Sequence, residues 1–132
     1  MNDFLKKIIK GNGVIPSEVC QKSLKQNFED AVNVEWFNKD NHSEAIFYKN
    51  ETEYIAIFNL SGKLLEYKHN LQEDHLPTAI KNRITSMGVI MNLVVKNKDD
   101  ILEYEVILRD KDLNRYLIIL SDTGSIIEET KL

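Results

Sequence analysis

The side chains able to do chemistry are few, and their spacing keeps them apart. The single cysteine, Cys20, excludes an internal disulfide and a zinc site of several cysteines. It lies between Val19 and Leu24 in a helical pattern, and no Lys, Arg or His is placed to lower its pKa. A buried, inert thiol is expected. His42, His69 and His75 fall in no His-x-x-x-His or Cys-x-x-Cys frame, so no metal site is expected. Asp74-His75 stands where a helix should start and reads as a helix cap. The 5 glycines all read as turns or helix ends, which leaves no loop to cradle a phosphate. The carboxylates are spread over strands and turns as a solvated surface. The sequons at Asn41, Asn50 and Asn59 are read as chance. No catalytic residue, metal ligand or cofactor is assigned, and the chain is not expected to be an enzyme.

The bulk numbers agree. A chain of 132 residues holds one domain with a real core. Seventeen Lys and Arg against 21 Asp and Glu give a net charge of −4, which offers no reason to expect nucleic acid. The one dense basic stretch, Lys6, Lys7 and Lys10, alternates with Phe4-Leu5 and Ile8-Ile9. That spacing predicts an amphipathic N-terminal helix within residues 1–13, closed by the break Gly11-Asn12-Gly13. It is not the unbroken apolar run of a signal peptide, so the chain as written carries no export address. No segment approaches the ~20 apolar residues that span a bilayer.

The elements that would position any site are read from an internal repeat. Tyr54 to Phe58, Asn59-Leu60-Ser61-Gly62 and Lys63 to Glu66 match Tyr116 to Leu120, Ser121-Asp122-Thr123-Gly124 and Ser125 to Glu128 at a constant offset. Glu44 to Phe47 match Glu105 to Leu108 with one residue fewer between them, as do Pro16 and Pro77. Two tandem copies follow, 14–71 and 72–132, within one globular domain. Each predicts a helix and four antiparallel strands. In the first, Cys20, Leu24 and Phe28 share one face of a helix over 16–29, followed by strands 32–37, 43–49, 53–59 and 63–69. In the second, Ile80, Ile84 and Met87 share a helical face, Gly88 is the left-handed stop, and strands follow at 89–96, 102–109, 114–121 and 125–130. The predicted fold class is therefore α+β, with the helices on one face of the sheet.

Side chains alternate along a strand, so each strand sorts into two faces. One carries Val34, Trp36, Ala45, Phe47, Ala56, Phe58, Leu65 and Tyr67, then Val106, Leu108, Ile118, Leu120 and Ile127; it should lie under the helices. The other would be polar if it faced water. Instead it carries Ile46, Tyr48, Ile55, Ile57, Leu64, Ile107, Leu117, Ile119 and Ile126, which are the candidate partner-binding residues. A continuous apolar stripe is expected there, with Tyr48 and Tyr54 near its edge.

Asn33-Val34-Glu35-Trp36, Glu44 to Phe47, Glu53-Tyr54, Phe58 to Glu66 and Leu76 to Lys81 together resemble the PepSY-like, β-lactamase-inhibitor-like family common in Bacteroidetes. The resemblance covers nearly the whole chain beyond residue 14. It implies an α+β fold of two similar halves and an exported, non-catalytic protein. Members usually begin with a signal peptide, and their turn is often Asp-x-Asp-Gly. The turns at Asn59 and Ser121 depart from that pattern and are poor in the carboxylates that calcium wants.

The expected function is a non-catalytic protein-binding or inhibitor-like module acting through the apolar sheet face. The partner is an unidentified protein or peptide. The alternatives are a homodimer that buries this face, a small apolar ligand, or coverage of the face by the N-terminal helix.

Overall fold

The computed structural model describes residues 14–132; the expected N-terminal helix lies outside them. Two α-helices are found among the described residues, α1 (Glu18–Asn27) and α2 (Thr78–Thr85). The strands are β1 (Val32–Lys39), β2 (His42–Lys49), β3 (Thr52–Asn59), β4 (Leu64–Asn70), β5 (Val89–Lys98), β6 (Ile101–Arg109), β7 (Arg115–Ser121) and β8 (Ile126–Lys131). They hydrogen-bond in chain order as one eight-stranded sheet, where the sequence suggested two four-stranded ones. The pairs β1–β2, β2–β3, β5–β6, β6–β7 and β7–β8 are antiparallel. Two compact units meet inside β4, at Tyr67 and Lys68.

In the first unit α1 begins at Ser17, whose hydroxyl accepts the Cys20 N–H at 3.2 Å. Glu18 in the first turn and Lys25 in the last suit the helix dipole. Cys20, Leu24 and Phe28 point at the sheet and pack on Trp36, Ala45, Phe47, Ala56 and Phe58. Ala45 and Ala56 face each other across β2 and β3 with no solvent exposure. Two small side chains there leave room for the larger groups of the helix. Phe28 fills the rest, 5.0 Å from the Phe47 ring and 5.2 Å from that of Tyr67. The Cys20 thiol is fully buried and donates to the Asn59 carbonyl at 3.6 Å.

The turn after β3 explains its own sequence. The Asn59 side-chain oxygen accepts the N–H groups of Ser61 and Lys63 at 3.0 and 2.9 Å. Gly62 has φ +87°, and a Cβ there would run into the Val19 side chain.

In the second unit the core is built from Leu76, Ile80 and Ile84 against Leu93, Val95, Tyr104, Val106, Leu108, Ile118 and Leu120. Arg83 ties α2 to the β7–β8 turn by donating to the Gly124 carbonyl at 2.6 Å. Two expectations are corrected here. Asp74-His75 does not cap α2: it lies in a single 3-10 turn, Glu73–His75, and the residue before the helix is Pro77, with no side-chain cap. Gly88 is not a left-handed stop, since its φ is outside that range; a Cβ would come within 2.7 Å of the Arg109 carbonyl oxygen. Close approach of two backbones is what requires glycine there.

The β6–β7 loop is organised by Asp110, whose Oδ1 accepts the N–H groups of Asp112 and Asn114, both at 2.9 Å. Desolvation pushes this carboxyl up, but the hydrogen bonds from Asn114 and Asp112 and the charge of Lys131 outweigh it, and the net shift is downward.

Two tests follow. Phe58 is fully buried with its ring 5.6 Å from that of Trp36, so Phe58→Ala should cost about 3–5 kcal/mol in urea unfolding. For Asp110 the folded pKa is the lower one, so its stabilisation is complete above the ordinary carboxylate pKa. It fades as pH falls through that value to the folded one. Asp110→Ala should flatten the acid side of the melting-temperature profile.

Candidate interaction surface

The face of the sheet turned away from the helices differs between the two units. In the first, cross-strand rows run Val32–Tyr48–Glu53 and Glu35–Ile46–Ile55, then Phe37–Glu44–Ile57. Ile46 and Ile55 are 6% and 7% exposed and pack with Phe37 as a small core of their own. Glu44, in the neighbouring row, is buried as well. Ile57 is half-buried. Tyr48 is exposed, and its hydroxyl donates to Glu53 at 2.7 Å. That bond and the Glu53 charge raise the phenol pKa. The first unit therefore presents its tyrosine, while two of its isoleucines are already covered.

In the second unit the rows run Asn92–Ile107–Leu117–Thr130 and Val94–Glu105–Ile119–Glu128. Val94 is buried; Ile107, Leu117 and Ile119 are half-buried. Glu105 is held by Lys68, whose ammonium lies 3.1 Å from one carboxylate oxygen and 3.2 Å from the other. Both side chains are partly buried, so water screens the pair only in part. The row beyond carries Lys96 and Glu103, 4.0 Å apart. At the other end Val89, Arg109 and Arg115 line up, with Val89 exposed.

Two candidate residues lie elsewhere. Leu64 packs in the first helix-side core together with Tyr67, three positions on, so the strict alternation breaks between them. Ile126 packs in the second helix-side core, and Ile127, expected inside, is 56% exposed. The cause is visible in β8: Leu120 pairs with Ile126 but Ile119 pairs with Glu128, so one extra residue is inserted and turns the strand over. Tyr54 faces the helix, stacked on Phe47 with ring centroids 5.4 Å apart.

One feature had no signal in the sequence. Between α1 and β1 lies a groove of about 420 Å³, floored by Leu24, Phe28, Val34 and Trp36, with Lys25 and Glu29 beside it. Its parts come from two elements whose spacing only the fold sets. Among the described residues no group of three or more His, Cys, Asp or Glu could hold a metal ion. None of the helices described is long and apolar enough to cross a membrane.

No family model and no curated protein matches the chain. Solved structures do. A BLIP-like protein from Bacteroides fragilis has TM-score 0.79 at 18% identity, covering 94% of this chain and 92% of its own. A DUF2874 family protein from Bacteroides uniformis has TM-score 0.79 at 20% identity, covering 89% and 90%. A candidate periplasmic protein from Bacteroides eggerthii has TM-score 0.80 at 15% identity, covering 89% and 90%. At these identities the likeness is one of fold, and it bears out the BLIP-like architecture that the sequence resembles. A PepSY link is not seen.

The contrast between the units can be measured. Ile55→Lys puts a charge into a covered site and should cost at least about 3 kcal/mol, whereas half-buried Ile119→Lys should cost no more than about 1–2 kcal/mol. Equal losses in urea unfolding would show that both faces are equally covered.

Proposed function

We propose that this chain is a non-catalytic protein-binding module, and that its contact surface is the second unit's sheet face at Ile107, Leu117 and Ile119. The observation that carries this reading is the pair of rows described above. They place these apolar side chains, incompletely covered, on the face that α2 does not use. Apolar surface left in water costs about 25 cal/mol per Å², and contact with a partner relieves that cost. Tyr48 and Ile57 of the first unit are the remaining accessible members of the candidate set; Ile46 and Ile55 support that unit from within. The fold shared with a BLIP-like protein supports a binding role without naming the partner.

Two further readings belong with this one. We take the units as tandem copies, 14–71 and 72–132, on the constant sequence offset and on Gly62 and Gly124, which take up φ +87° and +89° at matching turns. We also place the protein outside the cytoplasm, as the resemblance to an exported family implies. The Bacteroides eggerthii neighbour, described as a candidate periplasmic protein, supports this.

A photo-cross-linking residue at Leu117 should trap one discrete partner in the producing cell, and one at exposed Lys22 on α1 should not. Ile119→Lys should fold and abolish the cross-link. A product made only of this chain would favour the homodimer, and no specific product at Leu117 would overturn the reading.

A further inference from the structure

Beside the apolar rows of the second unit, Arg109 and Arg115 are direct cross-strand partners on β6 and β7. Both lie on the face that carries Ile107 and Leu117, by the alternation of each strand. Arg109 is half-buried and Arg115 exposed. Neither guanidinium has an ion-pair partner among the described residues, although the Leu132 N–H donates to the Arg115 carbonyl at 2.8 Å. The nearby acid, Asp110, spends its carboxylate on its own loop.

Like charges directly opposite each other destabilise a sheet. The rest of this face avoids such pairing, since Glu105 has Lys68 and Glu103 has Lys96. The net charge of the chain is −4, so two adjacent cations stand out further. Side chains opposite each other start about 5 Å apart at Cβ, within reach of a single carboxylate. A guanidinium binds a carboxylate through two parallel N–H groups, and an apolar floor alongside strengthens the contact by excluding water.

We infer that the partner docks an acidic side chain between Arg109 and Arg115, flanked by apolar side chains that rest on Ile107 and Leu117. The inference rests on the sheet-face reading above and adds the partner's chemistry: an acidic, apolar protein segment.

The probe is a short, end-capped, fluorescently labelled peptide alternating Leu and Glu, with a Gln-for-Glu counterpart, titrated against the full chain by anisotropy. The Glu peptide should bind saturably, and more weakly as salt rises. Arg109→Gln with Arg115→Gln should weaken it at least about ten-fold. The melting temperature of that variant should be unchanged or higher, because a repulsion is removed. Equal affinity of the double variant, equal affinity of the Gln peptide, or a clear fall in melting temperature would each overturn the inference. So would preferential binding of a single-stranded oligonucleotide. Leu117→Ser separates the two readings: if the Gln peptide alone binds and Leu117→Ser abolishes it, the arginine inference falls and the face reading stands. Binding of neither peptide overturns both.

Discussion

A strand that is apolar at successive positions cannot bury all its side chains against one helix, because neighbours point to opposite sides of the sheet. Tyr116 to Leu120 is such a segment. Ile118 and Leu120 go under α2 and are fully buried, so Leu117 and Ile119 must go to the other face. The first unit obeys the same constraint at Ile55 to Phe58, with Ala56 and Phe58 toward α1 and Ile55 and Ile57 away from it. The helix-side cores take up one half of each strand's apolar side chains.

The two units meet this constraint differently. In the first, Ile46 and Ile55 are covered and Phe37 packs on them, so that face contributes to stability. In the second, Ile107, Leu117 and Ile119 keep partial exposure. Equivalent sequence patterns therefore end covered in one unit and partly exposed in the other.

Charge is distributed with the same logic. Glu105 sits among apolar neighbours and is neutralised by Lys68, which reaches it from β4 across β5. A half-buried carboxylate without that ammonium would be costly. Arg109 and Arg115 receive no such neutralisation among the described residues, and their side-by-side placement is the local conflict on this face. Local conflicts of this kind concentrate where a surface has a role beyond folding.

The amino-acid sequence by itself determined what depends on short-range periodicity. The helical spacing of Cys20, Leu24 and Phe28, the alternation through Trp36, Ala45, Phe47, Ala56 and Phe58, and the turn chemistry of Asn59 and Gly62 all stand in the structure as their local patterns require. Most of the eight strands were legible within a residue or two for the same reason. Tertiary structure alone decided whatever depends on register. The inserted residue in β8 sends Ile126 inward and Ile127 outward, and period two carries no mark of an insertion. Gly88 answers to the backbone of Arg109, a residue far along the chain. Asp74-His75 has cap chemistry, but the helix starts after Pro77. Which isoleucines are covered, and that Arg109 faces Arg115, follow from how strands align, because burial and cross-strand pairing are properties of the assembled sheet.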